Sequence, residues 1–319
     1  MASTLAATLH RWADDDAVHT VLISGAGDRG LCAGGDIVAI YHSARTDGGT
    51  EARDFWRDEY RLNAVIGGYP KPYVALMDGI VMGGGVGVSA HGRVRIVTET
   101  TKMAMPEVGI GFVPDVGGTY VLSRAPGRLG LHAALTGAPF TGADAIALGF
   151  ADHFVPHDAL TGFTRDLIGD GVEAALATHA VESPASQLLA QRDWIDECYA
   201  GPTAIDIVAA LRGHDARPAN DAAEVILTRS PIAVSVALEA VRRAAELETL
   251  EDVLRQEYRT ACGALRSPDL VEGIRAQIID KDRNPAWSPA SLAAVTPGDV
   301  EAYFAPTEPD LTFPDEEQP

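Results

Sequence analysis

Two acidic residues stand eight positions apart in surroundings otherwise made of apolar residues, glycine and proline. Glu107 lies in Pro106-Glu107-Val108-Gly109-Ile110-Gly111, and Asp115 in Pro114-Asp115-Val116-Gly117-Gly118. Apolar surroundings raise a carboxyl pKa, which suits acid–base or nucleophilic work. Asp115 can instead cap a helix starting near Val116, and the two roles are compatible. Upstream are two glycine motifs. Cys32-Ala33-Gly34-Gly35-Asp36 reads either as a plain strand-to-helix turn, with Asp36 as the cap, or as a place where backbone approaches a ligand. Met82-Gly83-Gly84-Gly85-Val86-Gly87 starts a helix. Each glycine weakens a helix by about 1 kcal/mol relative to alanine, so something must compensate. Close backbone packing would, and so would an exposed N–H at a helix N-terminus facing a developing negative charge. A nucleotide-phosphate loop is a rival, but neither GxxxxGK[ST] nor a strand-placed GxGxxG occurs.

The elements that must hold these segments are legible in part. Residues 18–24 (VHTVLIS) read as a buried strand, Tyr73–Met77 as a second and 93–98 (RVRIVT) as a third. Residues 51–66 read as an amphipathic helix carrying Glu59, which alone would be a solvated charge. Residues 83–91 should form a small-residue helix, and Ala2–Ala13 a helix directly before the first strand. Strands alternating with helices imply an α/β core with right-handed crossovers. Thr141-x-x-Asp144 resembles a capping box closed by Gly149. From 231 to 281 the pattern is helical, with Pro231 at a helix start and a break at Pro268.

The 319 residues carry a net charge of −20, which argues against nucleic-acid binding. An anionic ligand is not excluded, because local arginines and helix N-termini override the global sign. Cys32, Cys198 and Cys262 form neither a disulfide framework nor a metal cluster, and a reduced, cytoplasmic setting is expected. His91, His132, His153 and His157 lack metal-ligand spacing and read as structural or surface residues. No secretory signal or membrane span is expected. Residues 306–319, acidic and proline-rich, are expected to be a disordered tail.

Taken in order, CAGGDI, MDGIVMGGGVG and AMPEVGIGFVPDVGG resemble the crotonase (enoyl-CoA hydratase/isomerase) superfamily. The MGGGVGVSAHG, PDVGG, LTGAPFTGADAIALGFADHFVP and EGIRAQIIDKDRNPAW segments resemble its 3-hydroxyisobutyryl-CoA hydrolase branch. The similarity runs from about Val18 to Trp287. It implies a ββα spiral core over residues 1–180 and a helical C-terminal region over 181–305. It also implies an oxyanion hole of two backbone N–H groups, which fall on Gly35 and Gly84. Hydratases of the superfamily resemble GGGxE in the second motif; here that glutamate position is Gly87. The hydrolase branch pairs the remaining glutamate, Glu107, with an aspartate, here Asp115, and a helix glutamate, here Glu59. The resemblance thus implies thioester hydrolysis in valine breakdown, with Glu107 and Asp115 catalytic and Glu59, Gly35 and Gly84 binding substrate. Glu107 either attacks the carbonyl or activates water. No cofactor or metal is implied, since coenzyme A arrives as part of the acyl-CoA substrate. A homo-oligomer is allowed, and Arg29 offers a contact to a CoA phosphate.

One departure stands out. Superfamily members usually begin with a strand pair and an LNRPxxxNxL-like segment, whereas this sequence starts at the following helix. Loss of those strands would expose a sheet edge. Two other readings remain: an enoyl-CoA hydratase/isomerase-type enzyme using Glu107 alone, and a non-catalytic acyl-CoA binder.

Overall fold

The computed structural model describes residues 1–313. Eight short strands form two sheets. The first contains β1 (Val21–Ile23), β3 (Tyr73–Met77), β5 (Val94–Val97) and β8 (His153–Phe154), in that order and parallel. The second contains β2 (Gly30–Cys32), β4 (Ile80–Met82), β6 (Lys102–Ala104) and β7 (Phe140–Thr141), with only β7 antiparallel. From β1 to β6 successive strands alternate between the sheets, so each strand pair steps the chain one layer further. This is the expected α/β, crotonase-like spiral of ββα turns with a helical C-terminal region. β1 and β2 lie at sheet edges.

Three expected strands coincide with β1, β3 and β5, but β2, β4, β6, β7 and β8 are additional. Helix α1 (Ala2–Ala13) and α2 (Ile37–Thr46) precede α3 (Thr50–Gly67). Asp36 caps α2, its side chain accepting from Ala39 N–H at 3.0 Å. Helix α3 buries Trp56, Tyr60, Leu62 and Ile66 along one face. Each such side chain contributes about 1.5–3 kcal/mol. Helix α4 is only Gly84–Gly87, shorter than the expected 83–91, because consecutive glycines do not sustain a helix. Helix α5 spans Gly118–Arg124. The Thr141–Asp144 capping box forms as expected.

Beyond β8 the long elements are helices, among them Pro231–Ala244, Leu250–Arg266 and Pro268–Ile274. One buried apolar cluster runs from Leu9 through the strands into these helices. Pro268 breaks the helical run by starting a new helix. The tail expectation divides. Leu311 and Phe313 are buried, and Asp310 pairs with Arg259, so the chain up to Phe313 is anchored. Two apolar side chains suffice to hold this otherwise acidic stretch. Residues 314–319 lie outside the described residues.

Candidate active site

Three neighbouring parallel strands explain how the chemistry-bearing segments meet. β2, β4 and β6 are hydrogen-bonded side by side, with Cys32 opposite Val81 and Met82 opposite Ala104. Immediately after their C-terminal ends come Gly34-Gly35, Gly83-Gly84 and Pro106-Glu107. In open α/β sheets this is the end at which ligands bind. The three segments line one cavity of about 350 Å³ together with Glu59, Asp115 and a wall of Phe55, Trp56 and Phe112. Trp56 and Phe112 stack at 5.1 Å. A cavity of about 370 Å³ around His91, Arg95 and Arg124 contains none of these carboxylates.

The glycines here are required by close approaches. A side chain on Gly84 would place its first carbon 2.7 Å from Glu59 Oε1 and 3.8 Å from Gly35 N. Gly83, at φ +51°, turns the chain into α4. Among the described residues, the Gly35 and Gly84 amides donate to no other group. Two unengaged donors therefore lie side by side, one of them at a helix N-terminus.

All three predicted carboxylates are at most 9% exposed. Burial, then the neighbouring Asp115, pushes Glu59 up to about 8. Glu107 is raised well above the ordinary carboxyl range, by burial first and Asp115 second. Its Oε2 is buried with no hydrogen-bond partner. Burial raises Asp115 to about 7, opposed by the Tyr60 hydroxyl, which donates to Asp115 Oδ2 at 2.7 Å. Asp115 thus holds its charge most readily. The cluster loses its protons in steps that belong to the group rather than to single residues. Asp115 does not cap α5 through its side chain. That place is taken by Glu257, from the helix Leu250–Arg266, which accepts from Gly117 N–H at 2.6 Å and Thr119 N–H at 2.9 Å.

Position 87 has no room for a side chain. A carbon added to Gly87 would lie 2.7 Å from Asn63 Nδ2 and 2.8 Å from Val116 Cβ. Asn63 is on α3, one turn beyond Glu59 and on the same face. Arg29 is exposed and does not line the cavity; the cation that does is Arg229, whose Nε donates to Thr136 O at 2.9 Å. Sequence reading missed Tyr60, Asn63, Arg229 and Glu257. None of them sits in a glycine-rich motif, and only folding brings them here.

Stability should depend on pH through this cluster. Glu59 is near 8 in the folded protein against an ordinary 4.5, so the folded state holds the extra proton between these values. Stability from this group is therefore present below about 4.5 and is lost as pH rises through 8. At about 1.4 kcal/mol per unit the loss is a few kcal/mol. Glu59→Gln cannot ionise. It should be more stable than the parent at pH 8 and nearly equal at pH 5, by urea unfolding. An equal difference at both pH values would show that the buried proton is not the cause.

A family profile described as enoyl-CoA hydratase/isomerase matches residues 1–304. The chain belongs to this family. Among its relatives, the Xenopus tropicalis protein named mitochondrial 3-hydroxyisobutyryl-CoA hydrolase is 38% identical, covering 92% of this chain and 78% of that protein. The human protein of the same name is 38% identical over 93% and 79%. Among solved family members, a Mycobacterium thermoresistibile structure titled carnitinyl-CoA dehydratase is 70% identical with TM-score 0.95, covering 98% of this chain and 91% of that one. A Rhodobacter sphaeroides enoyl-CoA hydratase is 42% identical with TM-score 0.93, covering 98% and 92%. The vertebrate relatives are mitochondrial by name, unlike the cytoplasmic setting read from the cysteines. Among the described residues, no helix is long and apolar enough to cross a membrane.

Proposed function

We propose that this chain is an acyl-CoA thioester hydrolase acting on 3-hydroxyisobutyryl-CoA, and thus works in valine breakdown. The names of its relatives are divided between hydrolase and dehydratase or hydratase. The site's chemistry favours the first. What carries the reading is the packing at position 87: the place where the hydratase resemblance puts a second glutamate is filled by Asn63 and Val116. Water addition by a glutamate pair has no second partner. Three carboxyls and two unengaged amides remain, which is a set suited to an acyl group.

In this reading the thioester oxygen accepts from Gly35 and Gly84 N–H. Each such donor contributes on the order of 3 kcal/mol to lowering the barrier. Glu107 takes a proton from the water that forms the new C–O bond, or forms that bond itself to give an anhydride that a water then cleaves, restoring the carboxylate. The C–S bond breaks, and the thiolate leaving group takes up a proton. Asp115 and Glu59 hold the substrate hydroxyl or the water. Coenzyme A is part of the substrate, and no cofactor enters.

Release of free thiol from 3-hydroxyisobutyryl-CoA, followed with a thiol reagent, tests the proposal. Thiol release is the expected result. Loss of enoyl absorbance without thiol would favour the hydratase/isomerase reading. Saturable binding with no turnover of any acyl-CoA would favour a binder.

A further inference from the structure

Glu257 is a buried carboxyl that touches no part of the cavity. It is 0% exposed and lies about 140 residues along the chain from the loop it meets. Its two oxygens collect three donors: Gly117 N–H at 2.6 Å, Thr119 N–H at 2.9 Å and Thr119 Oγ1 at 2.6 Å. These donors follow Asp115 directly. The loop between is strained. Val116, a β-branched residue, has φ +53°, and Gly117 has φ +77°. A second hold acts on the same loop, where His91 Nε2 meets Val116 O at 2.7 Å. The carbonyl can only accept, so the imidazole donates from Nε2. Burial keeps this ring neutral, pushing it down to about 4. Gly117, lacking a side chain, leaves space for the ring.

We propose that Glu257 is a positioning residue for the hydrolysis, holding the Gly117–Thr119 backbone so that Asp115 keeps its place beside Glu107 in the cavity wall. The proposal rests on the functional reading above. Without an acceptor, two buried amides would be orphaned, and nothing else at the start of α5 would replace it, since its cap residue is Gly117. The ionisable groups around Glu257 are Asp115, Glu107 and Tyr60, with Glu59 beyond Asp115 and His91 across Val116. Among the described residues, Glu257 accepts from Gly117 and Thr119 and pairs with no cation. On its own helix Arg255 reaches Leu311 O and Arg259 reaches Asp310, and on the adjacent helix Arg243 pairs with Glu239 and Glu301. Burial raises Glu257 to about 8, opposed by its bonds from Thr119 and Gly117, and where it is ionised its charge also raises Glu107.

Glu257→Gln keeps the shape, but turns one acceptor arm into a donor facing donors. The expected result is a fall in kcat of about tenfold or more, with KM changed less than about twofold. The acid limb of the kcat profile should move to lower pH. Thr119→Val removes only the hydroxyl bond; it should lower kcat by about two- to threefold, without moving the limb. Unchanged kcat and pH profile in Glu257→Gln, with a lowered Tm, would overturn the proposal and leave Glu257 a helix anchor. Should that variant not fold, unchanged kcat in Thr119→Val would count against the proposal. Titration of ¹³C-labelled carboxyls reads the same geometry without turnover. A raised Asp115 midpoint in Glu257→Gln, from a loosened Tyr60 bond, supports positioning even if the wild type releases no thiol, whereas a fall in the Glu107 midpoint reports only the lost charge. An unmoved Asp115 midpoint rejects it even if thiol release is confirmed.

Discussion

Glu107→Gln is expected to lower kcat for thiol release by about three orders of magnitude or more, while KM changes less than about threefold. The substitution keeps the volume of a side chain that is only 6% exposed. It removes the carboxylate oxygen that attacks or accepts a proton. General base catalysis alone is worth about 10²–10⁴ in rate, and a lost nucleophile costs at least as much. Glu107 holds its proton well above the ordinary carboxyl range, so its neutral form is what the fold favours. Glutamine mimics that form, so the variant should fold at least as stably as the parent near pH 8. Calorimetric binding of a CoA thioester, beside the kinetics, separates chemistry from binding. Near wild-type turnover would remove Glu107 from its role. Hydroxylamine trapping in the parent then tells attack from base catalysis, since only attack yields an acyl-enzyme.

Gly84→Ala should lower kcat about 10²- to 10³-fold, whereas Gly35→Ala should lose less than about tenfold. The difference follows from the neighbours. The new carbon at 84 would meet Glu59 Oε1 at 2.7 Å, and either Glu59 or the α4 start must shift. A displaced oxyanion donor costs about 2.7–4 kcal/mol of barrier. The new carbon at 35 would meet the edge of the Phe55 ring at 3.4 Å, an ordinary contact. Steady-state kinetics on both variants read this contrast. Equal small losses would mean that the Gly84 amide does not hold the carbonyl.

The readable parts of this chain are those in which local pattern and final environment agree. β3 is five consecutive buried residues, and its apolar run marks it. Helix α3 shows its buried face at helical spacing. β2, β4 and β6 are three residues each and include Gly30 and Lys102; they are strands because a neighbour supplies the ladder, which no local pattern records. The glycine and acid segments were visible because close approach and buried carboxyls leave residue-type signatures. Glu257 left none. A glutamate in a helix ordinarily faces water, and its partners are set by how two distant segments pack. The capping role considered for Asp115 had the same origin: its spacing suited a cap, but a carboxylate from far along the chain already held that place.

The alternation of strands between two sheets has a consequence for how such a site can change. The amides of Gly35 and Gly84 follow adjacent rungs of one parallel ladder, and Glu107 follows the next. Adjacent strands lie about 4.7–4.9 Å apart whatever their side chains. The anion-binding pair is therefore a property of main-chain register, inherited intact by any sequence that keeps the ladder. The side chains at 59, 63, 87, 107 and 115 hang on that frame as exchangeable parts. New reactions on the same bound carbonyl can then arise by swapping a few of them, without rebuilding the part that recognises it.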